Sequence, residues 1–151
     1  MARSIQQAGA GGCIQHTFYA LTGENEILAH QDEGSPQRFL LRAQDAGYLL
    51  WPLYCDRFAE AGPSFWNALK KDCQDETDVR LMVTIKPTIR EHVFGVQANF
   101  KNGDMIVTDP GMQALLRFTF DQFLQHPDYP RALEVLCVDS GVIDDYNPLP
   151  P

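Results

Sequence analysis

The sequence predicts an α+β fold, with helices first and a mostly antiparallel sheet after them, on three observations. Apolar residues in the first half recur at helical spacing, between glycines and prolines placed where helices stop and start. In the second half the apolar residues gather into short runs rich in valine, isoleucine and phenylalanine, the pattern of strands. Asn102-Gly103 between two of those runs is a hairpin signal, so neighbouring strands there run antiparallel.

Taken in order, residues 4–12 are polar, and Gly9, Gly11 and Gly12 give a flexible or tightly turned approach to the first helix. That helix is expected from about Cys13 to Thr22. Ile14, Phe18 and Leu21 fall on one face, and Gly23 stands at the C-terminal stop. Residues 24–34 are polar and acidic, a loop or short helix. Ser35-Pro36 is a helix start that leads to about Ala46, with Phe39, Leu40 and Ala43 turned inward and Gly47 as the stop. Residues 48–54 are apolar but contain Pro52, which restricts them to an edge strand or an extended connection. A third helix begins near Pro63-Ser64 and ends near Asp72, with Phe65, Trp66 and Leu69 on its inner face.

Strands are expected at 79–85, 92–100, 105–108 and 133–138, with a short helix at 120–125 ended by His126-Pro127. The arrangement is an N-terminal helical lobe packed on a C-terminal sheet, one domain over residues 1–138. Residues 139–151 form an acidic, proline-rich tail.

The formal net charge of −8 argues against nucleic acid and against an anionic membrane surface, since both select basic faces. It is compatible with a basic protein partner. No apolar run approaches the roughly 20 residues of a membrane span, and the first residues lack the apolar stretch of a signal peptide. Cys13, Cys55, Cys73 and Cys137 are irregularly spaced, so free thiols in a reducing compartment are expected: the cytoplasm, or a host cytosol reached by a secreted effector. Cys13, His16, Cys55 and Cys73 match no structural zinc spacing, and no metal or cofactor is expected.

Chemistry concentrates in Cys13, His92 and Asp109. A thiol at a helix start is favoured as thiolate by the helix dipole, and an imidazole can take its proton. A carboxylate on the next strand can orient that imidazole. The backbone amide of Cys13 and the side-chain amide of Gln7 are candidate oxyanion donors.

Each residue also has a plainer role. Cys13 can be structural, His92 a satisfied strand histidine, and Asp109 a turn starter before Pro110-Gly111. His16 reads as a helix-face or core histidine, His30 and His126 as surface loop residues, and Trp51, Trp66 and Phe65 as core.

The hairpin register bears directly on the site. A two-residue Asn-Gly turn pairs Lys101 with Asp104 and sets Gln113 opposite His92, leaving Asp109 about 13 Å away along the strand. Bringing His92 and Asp109 together calls for a turn centred near Phe100-Lys101 or a bulge. A wider loop over residues 99–102 is expected.

Gln7, Cys13, His92 and Asp109 occur in the order of oxyanion glutamine, nucleophile, base and orienting residue, and in this the chain resembles the papain-like cysteine proteases. Cys13-Ile14-Gln15-His16 leading to Leu21-Thr22-Gly23, and Glu91-His92-Val93-Phe94, are similar to the cysteine and histidine motifs of Josephin deubiquitinases. Asp109 in place of asparagine, and Val93 in place of the Josephin tryptophan, are departures. Bacterial effector proteases and glutamine deamidases of papain-like fold also use Cys, His and Asp.

The resemblance implies a papain-like fold and hydrolysis of amide or isopeptide bonds in a protein substrate, ubiquitin or a host protein among the candidates. A deamidase with the same residues, or a non-catalytic binding module on the same fold, are the alternatives.

Overall fold

In a computed structural model, residues 13–24, 36–112 and 114–139 are described. The glycine-rich approach with Gln7, the acidic stretch with His30, the Ser35 helix cap and nearly all of the proposed tail lie outside these residues.

The sequence forms helix α1 (Cys13–Thr22), helix α2 (Pro36–Asp45), strand β1 (Leu49–Cys55) and helix α3 (Pro63–Asp72). Strands β2 (Val79–Ile85), β3 (His92–Asn99), β4 (Asp104–Asp109) and β5 (Ala114–Thr119) come next, then helix α4 (Phe120–Gln125) and strand β6 (Ala132–Asp139). All six strands join one sheet in the order β1-β6-β2-β3-β4-β5, and every neighbouring pair is antiparallel.

Helices cover both faces of the sheet. On one face Phe18 and Leu21 of α1 and Phe39 and Ala43 of α2 pack against Met82, Val93 and Val138. On the other, Trp66 and Leu69 of α3 and Phe120 and Phe123 of α4 pack against Leu81, Val83, Phe94, Val96, Val107 and Val135. This explains why β2 reads as an almost unbroken apolar run, since neither of its sides meets water.

The predicted boundaries hold at α1 and α3. Gly23 and Gly47 take the positive φ that a helix stop asks of glycine, 79° and 96°. Pro52 lies in an edge strand as its missing donor requires, beside an irregularity in the pairing to β6.

Three expectations fail. Leu40 is 44% exposed, because Phe39 and Ala43, four apart, already define the inner stripe of α2. Trp51 is 48% exposed on the edge strand and is no core residue. Residues 114–119 form a strand that the sequence pattern does not announce, because Leu115-Leu116-Arg117 breaks the two-residue alternation. Helix α4 then starts immediately after it. Thr119 accepts from the Gln122 amide, and the Gln122 side chain accepts from the Thr119 amide, a reciprocal cap.

Candidate active site

Strand β3 begins at His92 and strand β4 ends at Asp109, so both residues stand at the same end of the sheet. The turn joining them decides whether they meet. Asn99 pairs with Asp104, leaving a four-residue loop over 100–103 in which Gly103 takes a φ of 85°. That register is two places away from the one a tight Asn-Gly turn would give.

Gly95 pairs with Thr108, so one further step sets Phe94 opposite Asp109 and leaves His92 on its diagonal. Direct pairing is therefore not required, since diagonal neighbours sit ~7–8 Å apart and long side chains close that gap. His92 Nε2 and Asp109 Oδ1 are 2.7 Å apart.

The carboxylate of Asp109 is 5% exposed as a residue and carries three donors in all. Oδ1 also accepts from the Gly111 amide at 2.9 Å, and Oδ2 accepts from the Tyr129 hydroxyl at 2.8 Å. The turn-starting role of Asp109 and its contact with His92 are thus compatible, because one oxygen serves both. Burial alone would push this carboxyl upward. The bonds from His92 and Tyr129, the charge of His92 and the Gly111 amide outweigh it and hold Asp109 below its ordinary range.

The lowered carboxyl also ties stability to pH. A carboxyl lowered on folding contributes stability above its unfolded pKa, near 3.8 here, and loses it as pH falls through the lower folded value. The stability advantage of the wild type over Asp109→Asn should therefore shrink below pH ~4. Urea denaturation of both proteins across the acid range checks this. The difference between them isolates Asp109 from Asp78, which its bonds to Arg80 lower in the same way.

Helix α1 is seated on β3. Thr17 Oγ1 donates to the Val93 carbonyl at 3.3 Å, and Arg80, opposite Gln97, donates to the Leu21 carbonyl at 2.9 Å. The helix therefore runs in the same direction as the strand. Cys13, four residues before Thr17, lies ~6 Å further toward the start of the strand, where about two strand residues separate Val93 from Glu91. The half-buried Cys13 packs at the edge of the α1–α2 cluster.

Val93 and Gly95 face α1, whereas His92 shares the opposite face with Phe94 and Tyr129. His92 is the first residue of β3 and its side chain keeps 28% of its exposure, so the ring reaches solvent beyond the end of the sheet. Among the described residues nothing is bonded to His92 Nδ1.

Gln7 lies outside the described residues. His16 is buried in α1, as a core histidine should be. His126 is not the surface loop residue expected. Its Nδ1 accepts from the amides of Asp128 and Tyr129 at 3.1 Å each, and its ring stacks on Tyr129 with centroids 4.0 Å apart.

Tyr129 carries no signal in the sequence that would mark it as part of the site. It comes from the loop before β6, 20 residues beyond Asp109, and no local motif ties a tyrosine there to a carboxylate on another strand. Of the other thiols, Cys55 is exposed, while Cys73 and Cys137 are partly buried. Burial pushes both of the latter upward, Cys137 to about 11 with help from nearby Asp139.

No protein-family model matches the chain, and no curated protein matches it in sequence. Among solved structures it is similar to the peptidase domain of Streptococcus ComA, described as a bifunctional ABC transporter involved in a quorum-sensing pathway. The two superpose with a TM-score of 0.60 at 14% identity, over 92% of this chain and 97% of that one. At such identity the likeness speaks for the fold. It is the papain-like α+β fold, with a cysteine-bearing helix lying on an antiparallel sheet.

Proposed function

We propose that the protein is a papain-like cysteine peptidase that hydrolyses an amide bond of a protein substrate. The observation that carries this reading is the contact between His92 Nε2 and the buried carboxylate of Asp109. That contact fixes the imidazole through one nitrogen and leaves Nδ1 at the end of β3 toward which the start of α1 points.

In this reading Cys13 attacks the carbonyl as thiolate, favoured by the helix N-terminus and by His92 in its protonated form. The tetrahedral oxyanion is met by the Cys13 backbone amide, free because first-turn amides lack helical partners, and by Gln7. His92 then protonates the leaving amine, and afterwards takes a proton from the water that releases the acyl group. Thiol and imidazole lie on opposite faces of the sheet, so this reading requires them to meet around its end. Every step is proton or acyl transfer, which side chains can carry out.

The test is limited alkylation with iodoacetamide at pH 7, with the labelled thiols identified by mass spectrometry. Cys13, though half-buried, should react at least ~10-fold faster than the exposed Cys55, because rate follows the thiolate fraction. Cys73 and Cys137, which burial holds protonated, should lag behind both. Equal or slower labelling of Cys13 relative to Cys55 would sink the enzymatic reading. Incubation with peptide libraries then reports chain cleavage for a peptidase, or a one-dalton gain at glutamine for a deamidase built on the same residues.

A further inference from the structure

We propose that Tyr129 is a positioning residue, holding Asp109 so that its other oxygen stays on His92; this rests on the peptidase reading of the site. The phenol is 6% exposed within an apolar cluster. A buried hydroxyl is costly unless it is hydrogen-bonded, and the acceptor of this one is Asp109 Oδ2 at 2.8 Å. Phenylalanine would fill the same space, so what tyrosine adds here is the bond.

The carboxylate needs such a hold. Asp109 closes a strand directly before Pro110-Gly111, and a side chain there can turn toward water. With Oδ2 fixed by the phenol and Oδ1 shared between the Gly111 amide and His92, both torsions of Asp109 are set.

The phenol is in turn clamped. Its ring stacks on His126 at 4.0 Å and 10° between planes, lies 4.5 Å from Phe94, and meets Phe118 edge-on at 6.1 Å. Its backbone amide is tied to His126 Nδ1. Phe94 stacks under the His92 ring at 6.5 Å as well, so Tyr129 supports the imidazole along two routes, through Asp109 and through Phe94. Burial and the adjacent carboxylate push the Tyr129 hydroxyl upward, so it remains a donor at any pH at which the protein works.

The experiment compares the wild type with Tyr129→Phe and Phe118→Leu by proton NMR and by alkylation. The His92 Nε2 proton is assigned by its disappearance in His92→Gln. In Tyr129→Phe its exchange with water should be at least ~10-fold faster and Cys13 alkylation ~10-fold slower, the worth of a bond to a charged group, while Cys55 labelling stays unchanged. Phe118→Leu disturbs the same aromatic packing but leaves the hydroxyl in place; it should lower the melting temperature and leave proton exchange and labelling within about twofold.

Unchanged exchange in Tyr129→Phe, or equal losses in both variants, overturns the proposal, as does a wild type lacking the protected proton. A wild type that keeps the protected proton but shows no fast Cys13 overturns the peptidase reading instead.

Discussion

Substituting His92 by alanine is expected to cut peptide hydrolysis by at least ~10³-fold, and Cys13→Ala is expected to cut it as much. The two losses should not add. In the proposed mechanism thiol and imidazole act as a unit, because the base serves only to activate the thiol and has nothing to activate without it. A Cys13→Ala, His92→Ala double variant should therefore sit within about tenfold of either single one. Multiplicative losses in the double variant would mean two independent contributions, and would overturn the shared mechanism. Stability serves as the control. The His92 side chain lies at the end of the sheet with 28% of its surface exposed, so its removal leaves the core clusters intact. It does take a donor from the buried Asp109, and activity is compared at a temperature where the variant is folded.

The orienting residue makes a finer distinction. An asparagine at 109 keeps one oxygen for His92 and the Gly111 amide, and can turn its nitrogen toward the Tyr129 hydroxyl, which accepts as well as donates. Alanine keeps neither contact and leaves a buried phenol without its acceptor. If the proposed role of Asp109 is to give the imidazole a fixed acceptor, Asp109→Asn should keep more peptide hydrolysis than Asp109→Ala.

Much of this was legible in the chain. Helix boundaries come in part from proline and glycine, whose backbone chemistry is local: α1 stops before Gly23 and α3 starts at Pro63, as those residues predict. Cys13, His92 and Asp109 were legible as residue types at suitable element ends. What could not be read was anything decided by the third dimension. The register of β3 with β4 depends on a four-residue loop whose Asn99 side chain accepts from the amides of Lys101 and Asn102, a local structure that overrides the Asn-Gly signal. Diagonal reach made the strict pairing argument unnecessary. Tyr129 and His126 reach the site from a loop with no pattern of its own, through a hydroxyl bond and a ring stack. The strand at 114–119 was hidden because an edge position tolerates an irregular pattern.

The largest structural effect is expected at a residue with no side chain. A Cβ added at Gly95 would lie 2.7 Å from Thr108 Cγ2 and 3.1 Å from both Leu21 Cγ and Thr17 Cγ2. Thr17, Leu21 and Thr108 are themselves fully buried, and the two threonines are too short to swing aside. The added methyl must therefore lift α1 from β3 or distort β3 against β4, at a cost of about 1–3 kcal/mol for alanine and more for valine. Because Thr17 and Leu21 seat α1 on the strand, lifting them also moves the start of the helix. Gly95→Ala should accordingly lose the fast alkylation of Cys13 although Cys13, His92 and Asp109 are unchanged. Thr108→Ser removes the methyl behind the 2.7 Å contact while keeping the hydroxyl, so it should recover part of both losses in Gly95→Ala. Chemical denaturation and alkylation of the four proteins measure this coupling, with a double-mutant interaction of ~0.5–3 kcal/mol expected between positions in contact. A Gly95→Ala protein as stable and as reactive as the wild type would show that α1 does not rest on β3 here, and the path from helix to thiol would fall with it.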